Sequence, residues 1–160
     1  MPDLEGLLGR LVTGGVDFVV VGGFAAVAHG SALMTQDVDV CCYFSPENLQ
    51  LLQKSLVDLH PVHRMTPKRL PLDLRPESCG ALQNLYLDTD LGQLDCLSSI
   101  LGVGDFATVK ANSVEVVLSM GSCRILSLDT LIQAKEALGR ERDKETVLQL
   151  KALQERGTHS

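Results

Sequence analysis

Apolar residues recur along this chain in two rhythms. Leu4, Leu7, Leu8 and Leu11 fall on one face at helical spacing, with Asp3 in the N-cap position and Gly14-Gly15 closing the run, so the spacing predicts a helix over 4–12. Phe18-Val19-Val20-Val21 is short and β-branched, which predicts a strand. It stops at Gly22-Gly23, where a chain can turn tightly and let a ligand approach the backbone. Ala25 to Ala28 form a helix-prone set ending near Gly30. A second strand is expected over about 38–44. Ser45-Pro46-Glu47 then opens a helix that carries Leu49, Leu52 and Leu56 to the core and ends near His60-Pro61.

The second half repeats these rhythms. Residues 84–88 and 93–97 read as a hairpin about Thr89-Asp90-Leu91-Gly92, with Leu94 and Cys96 on one face and Asp95 on the other. Residues 100–106, with Gly102 and Gly104, read as a loop or a short helix start. Residues 114–118 and 123–126 form another strand pair turning at Met120-Gly121-Ser122. Ser127-Leu128-Asp129 caps a helix through Leu138, Gly139 breaks it, and a last helix carries Val147, Leu150 and Leu153. The expected class is α/β (α+β), one domain with a core over 1–126, a helical hairpin over 127–156 and a disordered tail over 157–160.

Asp37-Val38-Asp39-Val40 carries the first candidate chemistry. In a strand the two aspartates point one way and the two valines into the core. Two carboxylates on one strand face repel each other, an arrangement that makes sense if a divalent cation sits between them, since hard cations such as magnesium take oxygen ligands. The glycine turn at the mouth of the neighbouring strand offers backbone N–H groups to a phosphate. Together these features suit a nucleoside triphosphate handled with metal; the plain alternative is a surface turn and two solvated aspartates.

The set Gly22-Gly23, His29-Gly30 and Thr35-Gln36-Asp37-Val38-Asp39 resembles the signature of the nucleotidyltransferase superfamily, the DNA-polymerase-β-like fold. Within it the chain is most similar to small stand-alone members related to the AbiEii-type and MenT-type toxin nucleotidyltransferases. The resemblance implies a mixed β-sheet flanked by helices with a C-terminal helical pair. It implies a third carboxylate on the hairpin strand, where Asp95 is the matching position and Asp88 and Asp90 are rivals nearer the turn. Asp37, Asp39 and Asp95 would then be catalytic and hold Mg2+ or Mn2+. Gly22, Gly23, Thr35, Lys135 and Arg140 would meet the nucleotide and its phosphates, and Arg140 and Asp143 would touch the nucleotide or orient the helix pair. The implied reaction moves NMP from an NTP to a hydroxyl acceptor, releasing pyrophosphate. The acceptor is left open between tRNA, a protein and a small molecule, and a toxin of this type would have an antitoxin protein as partner. Two departures stand out: Leu33-Met34 occupies the place where relatives carry an arginine, and Thr146 the place of a further aspartate. They motivate an alternative, a catalytically degenerate fold that binds nucleotide or protein.

Composition narrows this reading. The chain has 160 residues, 45% hydrophobic and 21% charged, enough for one domain with a proper core. Aromatics are 4% with no Trp, so Leu, Val and Ala must fill the interior. The net charge of −6 disfavours a large nucleic-acid footprint, which needs a basic surplus. Five cysteines without a Cys-x-x-Cys spacing, and an acidic start lacking leader character, predict reduced thiols in a cytoplasmic protein, with Cys41, Cys42 and Cys96 as core filler. No apolar run reaches membrane-spanning length, so no membrane partner is expected. Residues 61–80 hold four prolines and Arg64, Lys68, Arg69 and Arg75. They read either as a solvated connection or as a flexible basic flap that meets the triphosphate or an anionic acceptor. His29 is either a satisfied helix-end histidine or a contact to the nucleotide or the aspartate strand. A dinucleotide fingerprint is excluded, because Phe24 and Val27 stand where it needs glycine.

Overall fold

A computed structural model describes residues 2–32 and 34–157. The first half runs α1 (Leu4–Thr13), β1 (Phe18–Val21), α2 (Gly22–Ala28), β2 (Asp37–Cys42), α3 (Pro46–Leu56), β3 (Val62–His63), β4 (Asn84–Thr89) and β5 (Gly92–Leu97). The second half runs β6 (Ser99–Ile100), β7 (Gly104–Asp105), α4 (Phe106–Ala111), β8 (Ser113–Leu118), β9 (Gly121–Leu126), α5 (Leu128–Leu138) and α6 (Lys144–Gly157). Among the described residues, seven strands form one mixed sheet in the order β3-β4-β5-β2-β1-β9-β8, and β6 and β7 make a separate two-stranded ribbon. Strand β2 lies antiparallel to β1 and parallel to β5, and β1 lies parallel to β9. The fold class is the expected one, a mixed sheet flanked by helices with a helical pair at the C-terminal end.

Local chemistry sets the element ends. The Asp3 carboxylate accepts from Gly6 N at 2.9 Å, Ser45 Oγ from Asn48 N at 3.1 Å, and Ser127 Oγ from Thr130 N at 3.4 Å, each satisfying an N–H that the helix start leaves over. Gly139 closes α5 in the left-handed conformation, at φ 62°. Val38, Val40, Leu94 and Cys96 are fully buried, so the aspartates between them must face the other way. All five cysteines are free and buried, and burial pushes the Cys41 thiol up to about 12. They act as small apolar filler.

Several details differ from the sequence expectation. Gly22-Gly23 is the first turn of α2 rather than a separate bend. Strand β2 ends at Cys42. The proline-rich stretch is neither a plain loop nor a free flap: Val62–His63 adds an edge strand to β4, Val62 bridges Pro71, and Pro76–Ala81 winds into a 3-10 turn. Helix α4 and the β6–β7 ribbon were not foreseen as such. Six residues burying only Phe106 and Val109 are too few for a helical period to register. Helix α6 continues through Gly157. The rest of the expected tail, 158–160, and Leu33 lie outside the described residues.

Candidate active site

Strand pairing assembles the polar centre. Asp39 is the register partner of Asp95 across β2 and β5, Val21 is the partner of Asp39, and Tyr86 the partner of Asp95. Paired residues share a sheet face, so Asp39 and Asp95 stand side by side, with Asp37 one step along the same face. Burial, together with the Asp37 and Asp95 charges, pushes the Asp39 carboxyl up to about 7. Burial is the larger cause and the neighbouring carboxylates the smaller, while Lys135 and Arg140 oppose both.

Glycine is required beside these groups. Gly22 has φ 68°, and a Cβ there would run into the Asp39 carboxylate. A Cβ on Gly23 would lie 2.8 Å from Thr35 Oγ1, whose hydroxyl donates to the Asp37 carbonyl at 3.1 Å. The diglycine lets the start of α2 rest directly on the aspartate strand and on the residue that leads into it.

Cations approach from two sides. Lys135, at the end of α5, is buried to 6% exposure, and its Nζ lies 3.5 Å from Asp143 Oδ1. Arg140 Nε donates to Asp143 Oδ2 at 2.6 Å. Burial raises the Asp143 carboxyl, but the Arg140 hydrogen bond and the Lys135 charge outweigh it and hold it below the usual carboxylate range. Asp143 therefore clamps both cations, whose charges also reach Asp39. On the other side, Arg64 grips Asp95 with both arms: Nη1 donates to Oδ1 at 2.6 Å and Nη2 to Oδ2 at 3.2 Å. Its guanidinium also sits 5.8 Å from the centre of the Tyr86 ring.

A cavity of about 400 Å³ opens over this arrangement. Gly22, Asp39, Asp95, Lys135 and Arg140 line its polar side, and Ile100, Leu101, Leu131 and Leu138 its apolar side. Asp37, Gly23 and Thr35 are not among the residues that line it. Among the described residues, no three His, Cys, Asp or Glu side chains are close enough as they stand to ligate one ion.

Other candidates fall elsewhere. His29 Nε2 lies 2.7 Å from the Leu126 carbonyl oxygen and ties the end of α2 to β9, the satisfied helix-end role. Asp88 pairs with Arg69, and Asp90 with His60 at 2.6 Å, so both rivals of Asp95 are engaged around the hairpin turn and its edge. Arg75 pairs with Asp73.

Sequence patterning alone places neither Tyr86 nor the Arg64–Asp95 pair in the site. Tyr86 was within reach, because the four-residue turn sets the hairpin register that brings it opposite Asp95. Nothing in the spacing connects Arg64 with Asp95. Only the pairing of β3 with β4 carries it there, where Arg64 N donates to the Tyr86 carbonyl at 2.8 Å.

No protein-family model matches the chain, and no curated protein matches it significantly. Solved structures do share its architecture. One is TM1012 of Thermotoga maritima, assigned as a nucleotidyltransferase, with 17% identity and a TM-score of 0.56 over 91% of this chain and 88% of that one. A second is the lincosamide antibiotic adenylyltransferase LnuA, solved with lincomycin, with 14% identity and a TM-score of 0.61 over 92% and 94%. A third is the antibiotic-resistance factor ANT(2'')-Ia, with 13% identity and a TM-score of 0.58 over 93% and 80%. This chain, with its diglycine opening α2 beside the Asp-x-Asp of β2, therefore has the fold of these nucleotidyltransferases.

Proposed function

We propose that this protein transfers a nucleoside monophosphate from an NTP to a hydroxyl group and releases pyrophosphate. One observation carries the reading: aspartates from two strands distant in sequence share one sheet face, against a glycine that only a missing Cβ allows, at the wall of a cavity that also holds Lys135 and Arg140.

The donor set suits a hard divalent cation, Mg2+ or Mn2+. Asp37, Asp39 and Asp95 offer only carboxylate oxygens, and two of them, Asp39 and Asp95, stand abreast on one sheet face. These three residues would hold the ion. When bound, such an ion stabilises charge on the entering and leaving oxygens of the transfer. The chain's own residues do the rest. Gly22 and Gly23 bring the backbone close to the phosphates, with Thr35 bracing the turn. Lys135 and Arg140, fixed by Asp143, offset the negative charge of the triphosphate. The acceptor oxygen attacks the α-phosphorus, the bond from that phosphorus to the bridging oxygen of pyrophosphate breaks, and Asp95 accepts the hydroxyl proton. Most of the rate gain comes from position and fixed charge.

The acceptor favoured is a small molecule. Net charge −6 and an apolar cavity wall support this over an extended polyanion, as does likeness in fold to enzymes that adenylylate antibiotics. Among NTPs the same likeness favours ATP. The decisive experiment incubates the protein with each α-labelled NTP, Mg2+ or Mn2+, and separate acceptor panels of small alcohols, total tRNA and cell protein. Pyrophosphate release with label on a low-mass product is expected. Label on tRNA or on protein would instead support a toxin-type enzyme with an antitoxin partner. Absence of pyrophosphate with every NTP and acceptor overturns the enzymatic reading.

A second reading has its own observation. Arg64 already neutralises Asp95, and no described triad is closed for a metal as it stands. Both fit a catalytically degenerate module. Calorimetric binding of NTP without any pyrophosphate would establish it.

A further inference from the structure

We propose that Arg64 is a resident counter-cation for Asp95, which a divalent ion must displace, so that the site takes metal weakly until a triphosphate arrives with it. This rests on the reading that Asp37, Asp39 and Asp95 bind such an ion.

The geometry is specific. Both oxygens of Asp95 accept from one guanidinium, at 2.6 and 3.2 Å. The Arg64 and Asp95 side chains are only 20% and 16% exposed, so solvent screens the pair weakly. A guanidinium keeps its charge at any working pH, and its fork matches a carboxylate at two points. A divalent ion approaching Asp95 therefore meets two obstacles: a carboxylate already occupied, and a positive charge that repels it. Of the cations around the carboxylates, Lys135 and Arg140 are tied to Asp143, which is not among the proposed ligands. Arg64 differs, because its counter-ion is one.

The segment that bears Arg64 is suited to letting go. Arg64 follows a two-residue edge strand and precedes a turn in which Met65 and Leu70 are exposed and Arg69 is left-handed at φ 47°. Its backbone is held at Tyr86; its guanidinium lies over the Tyr86 ring, donates to the Leu87 carbonyl at 3.3 Å as well as to Asp95, and Tyr86 and Asp95 both line the cavity. From there the released guanidinium can pair with a triphosphate oxygen. Metal alone must break the ion pair without compensation, whereas metal with triphosphate supplies Arg64 with a replacement anion. Arg64 thus couples metal uptake to the presence of nucleotide.

The test is Mn2+ binding, followed by the loss of the free-ion signal in electron paramagnetic resonance, without turnover. Arg64→Gln is expected to bind Mn2+ about 10-fold more tightly than wild type in the absence of nucleotide, because a repelling charge and a competing partner of Asp95 are both gone. Adding a non-hydrolysable ATP analogue should shrink that difference. Arg64→Lys, which keeps the charge but loses the fork, should fall between the two. It replaces Arg64→Gln in the comparison if melting curves show that variant unfolded. Equal or weaker Mn2+ binding by the folded variants overturns the proposal alone. If neither wild type nor variant takes up Mn2+, even with the analogue, the metal reading falls together with it.

Discussion

Asp39 and Asp95 are direct partners across the parallel β2–β5 ladder, which sets two carboxylates abreast on one face. Like charges placed opposite one another cost stability. The fold therefore carries a standing electrostatic strain at the one place where its cavity, its diglycine and its buried lysine meet.

Removing either charge should end transfer without unfolding the protein. Asp39→Asn and Asp95→Asn are expected to lower pyrophosphate release by about 100-fold or more, with unchanged circular dichroism. Near-normal turnover by either variant would remove that residue from the chemistry.

The same strain should be visible in stability. The Asp39 carboxyl is raised to about 7, so the folded chain holds its proton more tightly than the unfolded chain does. Its contribution to stability is complete in acid, below the ordinary carboxylate range, and is lost as pH climbs through about 7. In the absence of metal, Asp39→Asn should be more stable than wild type at about pH 8, by roughly 2 kcal/mol, with the gap closing towards about pH 4. Thermal melts of both proteins across that range give the answer, and a pH-independent gap would contradict it.

Two left-handed glycines should respond differently to a methyl group. At Gly139 an added Cβ meets only a carbonyl oxygen 3.9 Å away, so Gly139→Ala should cost about 1 kcal/mol from backbone conformation alone. At Gly22 the Cβ also strikes Asp39, and Gly22→Ala should cost about 2–3 kcal/mol. Urea denaturation of the two variants measures the difference. Equal costs would mean that α2 does not rest on β2 as closely as described.

Asp143 should behave as a clamp. Asp143→Ala leaves Lys135 buried without its partner, and a loss of about 3 kcal/mol is expected. Adding Lys135→Met removes the stranded charge and should recover part of that loss, giving a coupling energy in a double-mutant cycle. Strict additivity of the two substitutions would show that the pair does not act together.

Most elements were readable before any coordinates, because their signals are local. Asp3, Ser45 and Ser127 announce helix starts through side chains that satisfy their own backbone N–H groups. Leu94-Asp95-Cys96 alternates at the strand period. Thr89 to Gly92 closes a hairpin of defined register. The elements that escaped, α4 and the β6–β7 ribbon, are too short to complete a period. The proline-rich stretch hid an edge strand, since two residues carry no pattern.

The sequence by itself determined which face each aspartate would take, because alternation along a strand is a property of the backbone. Only the tertiary structure decided that Asp95 stands beside Asp39, that Asp143 fastens Lys135 and Arg140, and that Arg64 closes on Asp95. Those meetings depend on which strands become neighbours, and that choice is made by burial of the whole leucine and valine core rather than by any local run of residues.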